Sequence, residues 1–147
     1  SVVAVSLKKK RSHRVRYSDG TAAGLSLWRL DLRRARLIAP VFQGADLRQA
    51  DFLRAIMHGA NVCRAVLRGS DMSLGNITGG SLREADLTGS TFEYATPTGV
   101  DMTDADISAV YVANATDLTQ DQIDSACYRT EARAPTLPEG FAPPPER

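Results

Sequence analysis

The chain is poor in the groups that most chemistry needs. Of its 147 residues only two are histidine and two are cysteine, Cys63 and Cys127, which is too few for a disulfide framework. Its only lysines, Lys8, Lys9 and Lys10, lie together near the start, so no glycine-rich loop ends in Lys-Ser or Lys-Thr. No GxSxG or HExxH occurs, and the four His and Cys residues do not have metal-ligand spacing. We therefore expect no catalytic residue, no metal and no cofactor. Aromatics are 6%, thin for a conventional globular core. No run approaches the ~18 apolar residues needed to span a bilayer, and no complete signal peptide is present. Net charge is +1, which argues against a nucleic-acid binder that relies on bulk positive charge. These features read as a cytoplasmic protein, with attachment to a membrane surface as the other option, and the first residue, Ser1, reads as a processed or trimmed start.

What the chain does have is a period of five. Stepping from Leu27 in fives gives Leu27, Leu32, Leu37, Phe42, Leu47, Phe52 and so on to Val112, and seventeen of the eighteen slots are large and apolar, Pro97 being the exception. Two residues before each large slot, from Ala45 to Ala95, all eleven residues are Ala, Ser or Gly. The slot between them favours Asp or Asn, as in Asp46, Asp51, Asn61, Asp71, Asn76 and Asp86. On an α-helix a five-residue step turns by about 140° and spreads these residues around the cylinder. On a straight strand odd steps alternate faces. Residues two apart on extended backbone share a face, so both slots face inward only if the other three residues carry the chain around a corner.

Units such as ADLRQ (45–49), ADFLR (50–54), ADLTG (85–89) and ADISA (105–109) resemble the A(D/N)Lxx pattern of the pentapeptide-repeat family. The resemblance runs from Leu25 to Asn114, eighteen units without insertion. It implies an all-β fold, a right-handed quadrilateral parallel β-helix (a solenoid) with four units per coil, about 4.5 coils and roughly 22 Å long at ~4.8 Å per layer. Leu47, Phe52, Leu67, Leu87 and Phe92 are the expected structural core. Pro97, which lacks a backbone donor, and the valines in the small slots at 100 and 110 predict distorted coils over 95–112.

Four segments follow: an apolar strand and basic arm at 1–24, the repeats at 25–114, a capping-helix region at 115–133 and a Pro-rich tail at 134–147. Thr119 and Gln122 read as a capping box opening a short C-terminal helix from Gln120 to about Tyr128, with Ile123 and Ala126 facing the last coil. The tail holds five of the seven prolines and reads as poorly ordered or as a docking strand. Lys8, Lys9, Lys10 and Arg11 read as a solvated basic arm, with contact to an acidic membrane surface as the functional option.

Charge drifts along the repeats. Residues 25–68 sum to +5 and residues 69–114 to −6. If every fourth unit stacks, Trp28, Arg48, Arg68, Thr88 and Ser108 form one outward column and Arg34, Arg54, Leu74 and Tyr94 its neighbour. Ile38, His58, Thr78 and Thr98 form a third, flanked by Ile56. Candidate interface residues are Trp28, Arg48, Arg68, Ile38, Ile56, His58, Tyr94 and Tyr111. The regular Asp slot reads as turn chemistry rather than acid–base chemistry. Together these point to a non-catalytic scaffold or protein-binding module of bacterial type, with an unknown protein or a second copy as partner. The family resemblance supplies the alternative, a DNA mimic that binds and protects DNA gyrase. Direct nucleic-acid binding is not expected.

Overall fold

A computed structural model describes residues 22–147, together with the backbone of Leu7–Lys8 and Arg14–Val15. Strands β1 (Leu7–Lys8) and β2 (Arg14–Val15) pair antiparallel. The expectations for the apolar start and for Lys9, Lys10 and Arg11 lie outside the described residues. Over residues 22–114 the chain alternates a buried extended residue with a two-residue turn, and among the described residues helix is confined to α1 (Gln120–Ser125).

The repeats pair in parallel at a fixed interval of twenty. Strand β3 (Arg36–Ile38) pairs with β4 (Ile56–His58), and single bridges join Ser26 to Asp46, Asp46 to Val66, Val66 to Asp86 and Asp86 to Asp106. Four five-residue units therefore separate each residue from the one stacked on it. The unit built on Leu47 shows how every backbone donor finds an acceptor, as buried backbone requires. Asp46 N–H donates back to Leu25 O (2.9 Å), Leu47 N–H donates forward to Val66 O (2.8 Å) and Gln49 N–H to Arg68 O (2.9 Å). Ala50 N–H closes the turn onto Leu47 O (3.1 Å), and Arg48 N–H donates to Asp46 Oδ1 (3.2 Å).

The repeat turns from 24 to 109 use a left-handed residue in the second corner position, as a type II turn does. Glycine fills it at Gly44, Gly59, Gly69, Gly79, Gly89 and Gly99, but Arg34, Arg54, Leu74, Glu84 and Tyr94 adopt the same conformation with φ between 55° and 59°. The backbone pairing on both sides of each corner holds these side chains in a conformation that L-residues otherwise avoid.

Both inward slots are filled as a packed interior. Leu47, Leu67 and Leu87 are fully buried, Phe52 and Phe92 nearly so, and Ala45, Ala55, Ala95 and Ala105 sit between them with no exposure. The Phe42 and Phe52 rings meet edge to face at 6.2 Å and 76°. Small residues at the corners let the backbone of successive units come close.

Residues 95–112 are regular, contrary to the distortion the sequence suggests. Bridges continue from Asn76 to Thr96, Ser81 to Asp101, Asp86 to Asp106 and Thr91 to Tyr111. Pro97 is buried in its core slot. The donor it lacks would have pointed at the next circuit, where the repeats end, so little pairing is lost. Val100 is 3% exposed, one circuit beyond Gly80, and Asp101 N–H after it donates to Gly80 O (3.1 Å).

Helix α1 opens with the capping box: Gln122 N–H donates to Thr119 Oγ1 (3.2 Å) and Thr119 N–H to Gln122 Oε1 (2.9 Å). It ends at Ser125, earlier than Tyr128, because the chain turns extended at Ala126 and Cys127 pairs in parallel with Asp106. Ile123 and Ala126 are fully buried against the last repeats. Gln122 Nε2 donates to Pro97 O (2.9 Å) and Val100 O (3.0 Å), pinning the helix to the stack. The tail folds back on the stack. Thr136 pairs with Tyr111 and Glu146 with Tyr128, and Ala142 N–H donates to Gln120 Oε1 (2.9 Å). The exposed C-terminal edge is thereby covered.

Candidate functional site: the outward columns

The regular carboxylates are consumed by the turns. Asp51, Asp71, Asp101 and Asp106 accept from the N–H two residues on, in Leu53 (3.0 Å), Ser73 (2.8 Å), Thr103 (3.0 Å) and Ser108 (2.9 Å), and Asn61 and Asn76 do the same. These are Asx turns, and they explain why the repeat places a short acceptor there. The Thr103 hydroxyl, bonded to Asp101 Oδ1, holds that carboxyl below the usual range, as the Arg48 guanidinium does for Asp46. For Asp86 burial pushes upward, but bonds from Thr88 and Arg68 outweigh it and the net shift is downward.

The acidic half of the repeats is ion-paired. Of its seven carboxylates, five meet arginines: Glu84 with Arg64 (2.9 Å), Asp86 with Arg68 (2.5 Å), Asp101 with Arg83 (3.5 Å), Asp106 with Arg129 (3.0 Å) and Asp104 with Arg147. Two of those arginines come from the C-terminal segment, so the charge drift in the sequence is partly cancelled by folding.

The eight candidate interface residues fall on separate columns. Trp28, Arg48 and Arg68 stack on one face, but Arg48 is engaged by Asp46 (2.7 Å) and Arg68 by Asp86. That column ends under the capping region: Ser108 is fully buried rather than outward, and Arg129 N–H donates to its Oγ (3.0 Å). Ile38 and His58 stack on another face with Ile56 beside them. Ile38 is 78% exposed, His58 is exposed and Ile56 is half-buried. Tyr94, 56% exposed, occupies the left-handed corner one circuit after Leu74, and Tyr111 lies on the column of Thr91. The structure does not gather the eight into one patch.

An open cleft of about 500 Å³ is lined by Arg29, Asp31, Arg33, Gln49 and Asp51. Arg33 is bonded to Asp31 (2.7 Å) and Asp51 (3.5 Å), and Arg29 Nε donates to Gln49 Oε1 (2.9 Å), so the lining is occupied with itself. Among the described residues no group of three or more His, Cys, Asp or Glu side chains could hold a metal ion. Cys63 and Cys127 are free thiols, and burial pushes the Cys127 thiol up. Among the described residues no helix is long and apolar enough to cross a membrane. The feature that sequence reasoning missed is the left-handed corner; the recurrence of glycine there, at 44, 59, 69, 79, 89 and 99, was the available signal.

Comparison with known proteins agrees with this geometry. The pentapeptide-repeat pattern matches residues 31–73 and 81–119 as eight copies, more than half of the chain. No curated protein matches in sequence. The structure is similar to a pentapeptide repeat protein from the Arabidopsis thaliana thylakoid lumen, with 35% identity, 69% of this chain and 67% of that chain covered, and a TM-score of 0.61. It is also similar to the pentapeptide repeat protein Rfr23 from the cyanobacterium Cyanothece 51142, with 26% identity, 54% of each chain covered and a TM-score of 0.54. QnrB1, described as a plasmid-mediated fluoroquinolone resistance protein, aligns at 17% identity over 77% of this chain and 61% of that one, but its TM-score of 0.33 is too low to carry an argument. The chain belongs to the pentapeptide-repeat family.

Proposed function

We propose that this chain is a non-catalytic interaction module, a right-handed quadrilateral β-helix of about 4.5 coils over residues 25–114, flanked by an N-terminal arm (1–24), a capping region (115–133) and a tail (134–147). The observation that carries the reading is the fate of the polar groups. The repeating carboxylates bond turn backbone and arginines, which leaves outward columns of side chains as the working surface. A protein partner, or a second copy, recognised through the Ile38–His58 column or the Tyr94 and Tyr111 columns fits this arrangement.

The DNA-mimic alternative needs an uncompensated acidic face, and the ion pairs at Glu84, Asp86, Asp101, Asp104 and Asp106 weigh against it. A crosslinking pull-down from the source cell, run beside sedimentation of the purified protein, tests the module reading. A reproducible partner or a defined oligomer lost on Ile38→Asp supports it; a strict monomer that captures nothing contradicts it. Protection of gyrase from a quinolone in a supercoiling assay would instead establish the mimic.

A further inference from the structure

One corner of the stack carries cations and apolar groups in a single row. Arg34, Arg54, Leu74 and Tyr94 occupy the same left-handed corner in four successive circuits, with φ between 55° and 59°. Their side chains therefore leave the same edge, one layer (~4.8 Å) apart. All four are exposed, Leu74 by 47% and Tyr94 by 56%. Along this edge two guanidiniums give way to an isobutyl group and a phenol ring.

The side of the coil that follows the edge consists of units 35–39, 55–59, 75–79 and 95–99, and these contain no Asp or Glu. Its first outward residues are the exposed Arg36 and, one layer on, the half-buried Ile56. Most arginines are held by carboxylates, but Arg34, Arg36 and Arg54 have no carboxylate partner among the described residues. The carboxylates in the same two units as Arg34 and Arg54, Asp31 and Asp51, bind Arg33. Three unpaired cations thus lie within two layers of one edge, and apolar side chains continue it.

Guanidinium groups hold carboxylates through paired donors, and an exposed tyrosine is a common anchor at protein interfaces. We propose that this edge binds an acidic linear segment of a partner protein, with its carboxylates on Arg34, Arg36 and Arg54 and its apolar side chains against Ile56, Leu74 and Tyr94. Size favours a linear segment over a second copy. Four layers span ~14 Å and three outward residues ~10 Å, far less than the roughly 800 Å² that each side of a stable globular interface buries. An extended segment of about five residues, at ~3.3 Å each, covers the edge. A nucleic acid would use the arginines and leave Ile56 and Leu74 unmatched. The inference rests on the interaction-module reading and names the chemistry of the partner.

The full chain is titrated against a fluorescein-labelled peptide, a run of glutamates followed by leucine and phenylalanine, and binding is read by anisotropy. The proposal expects saturable binding that weakens with salt and is lost when glutamine replaces the glutamates. Replacing Arg34, Arg36 and Arg54 together by Gln should weaken it about thirtyfold, at roughly threefold for each exposed ion pair. Leu74→Gln, which leaves the charges in place, should weaken it as well. Arg133→Gln, which removes an unpaired guanidinium near the other end, should leave it unchanged. Unchanged melting temperatures show that the variants still fold. The basic residues before Ala22 are the same in all these proteins, so the differences between them report the edge. No binding, equal binding of the glutamine peptide, or unaltered binding by the triple variant would each overturn the proposal. So would duplex DNA or phosphatidylglycerol vesicles that bind more tightly than the peptide and lose that affinity in the triple variant. A partner captured from the source cell equally by the native chain and the triple variant would overturn the edge and leave the module reading standing.

Discussion

Leu67→Ala isolates the inward slot. Leu67 is fully buried and lies one circuit from Leu47 and one from Leu87, both also fully buried. The substitution removes three carbons, about 2.4 kcal/mol of transfer free energy at ~0.8 kcal/mol per buried carbon. The neighbours are fixed by the hydrogen bonds of Leu67 N–H to Asp86 O (2.7 Å) and of Leu47 N–H to Val66 O (2.8 Å), so the gap cannot collapse freely. The cavity left behind then brings the cost to about 3–5 kcal/mol. Leu74→Ala removes the same atoms from a corner side chain that is 47% exposed, and should cost under about 0.5 kcal/mol. Urea unfolding followed by circular dichroism measures both. A loss below about 1 kcal/mol for Leu67→Ala, or equal losses for the two variants, would refute the assignment of inward and outward slots.

The corners give a paired test. Gly79→Ala meets no atom within 4 Å, so its cost of roughly 1 kcal/mol is purely that of the left-handed backbone (φ 67°), whereas Leu74→Gly should be neutral or stabilising; melting temperatures check both signs. Ser70 Oγ is buried without a partner while Ser90 Oγ donates to Leu87 O (2.7 Å), so Ser70→Ala should leave stability unchanged or raise it and Ser90→Ala should lower it by about 1 kcal/mol in the same urea assay. Gln122→Ala strips Pro97 O and Val100 O of their side-chain donor and should cost about 1–3 kcal/mol, with faster amide exchange in α1. Asp46, Glu84, Asp86 and Asp101 all have carboxyls lowered in the folded state. Their contribution is therefore complete above about pH 4, the unfolded carboxylate range, and is lost as pH falls through the lowered folded values. Urea midpoints should drop between pH 4.5 and 2.5, and a constant or rising midpoint would contradict these pairings.

The interior was legible because it obeys one short rule. A large residue every fifth position with a small one two before it places Leu47, Phe52 and Ala45 without any knowledge of the rest. The left-handed corner was harder to read. Where glycine occupies it the chemistry is visible, but Arg34, Arg54, Leu74 and Tyr94 are held there by pairing between circuits, which no local preference announces. The C-terminal segment was legible only in its capping box. Beyond Ser125 the five-residue period is gone, and the pairings of Cys127, Thr136 and Glu146 come at irregular intervals that the sequence does not mark. The outward columns were read by arithmetic from the same rule, yet the engagement of Arg48 and Arg68 by carboxylates, and the covering of Ser108, depend on side-chain packing and on the capping region that follows the repeats.

The central claim is that each residue of the repeats sits on the one twenty positions away. Spin labels at 78 and 98, in a chain with Cys63 and Cys127 replaced by serine, test it most directly. Stacked at about one strand spacing, ~5 Å between backbones, the two nitroxides should show strong exchange broadening in the continuous-wave spectrum. Labels at 78 and 88, half a circuit apart, should show none. Broadening in the second pair and not the first would contradict the account.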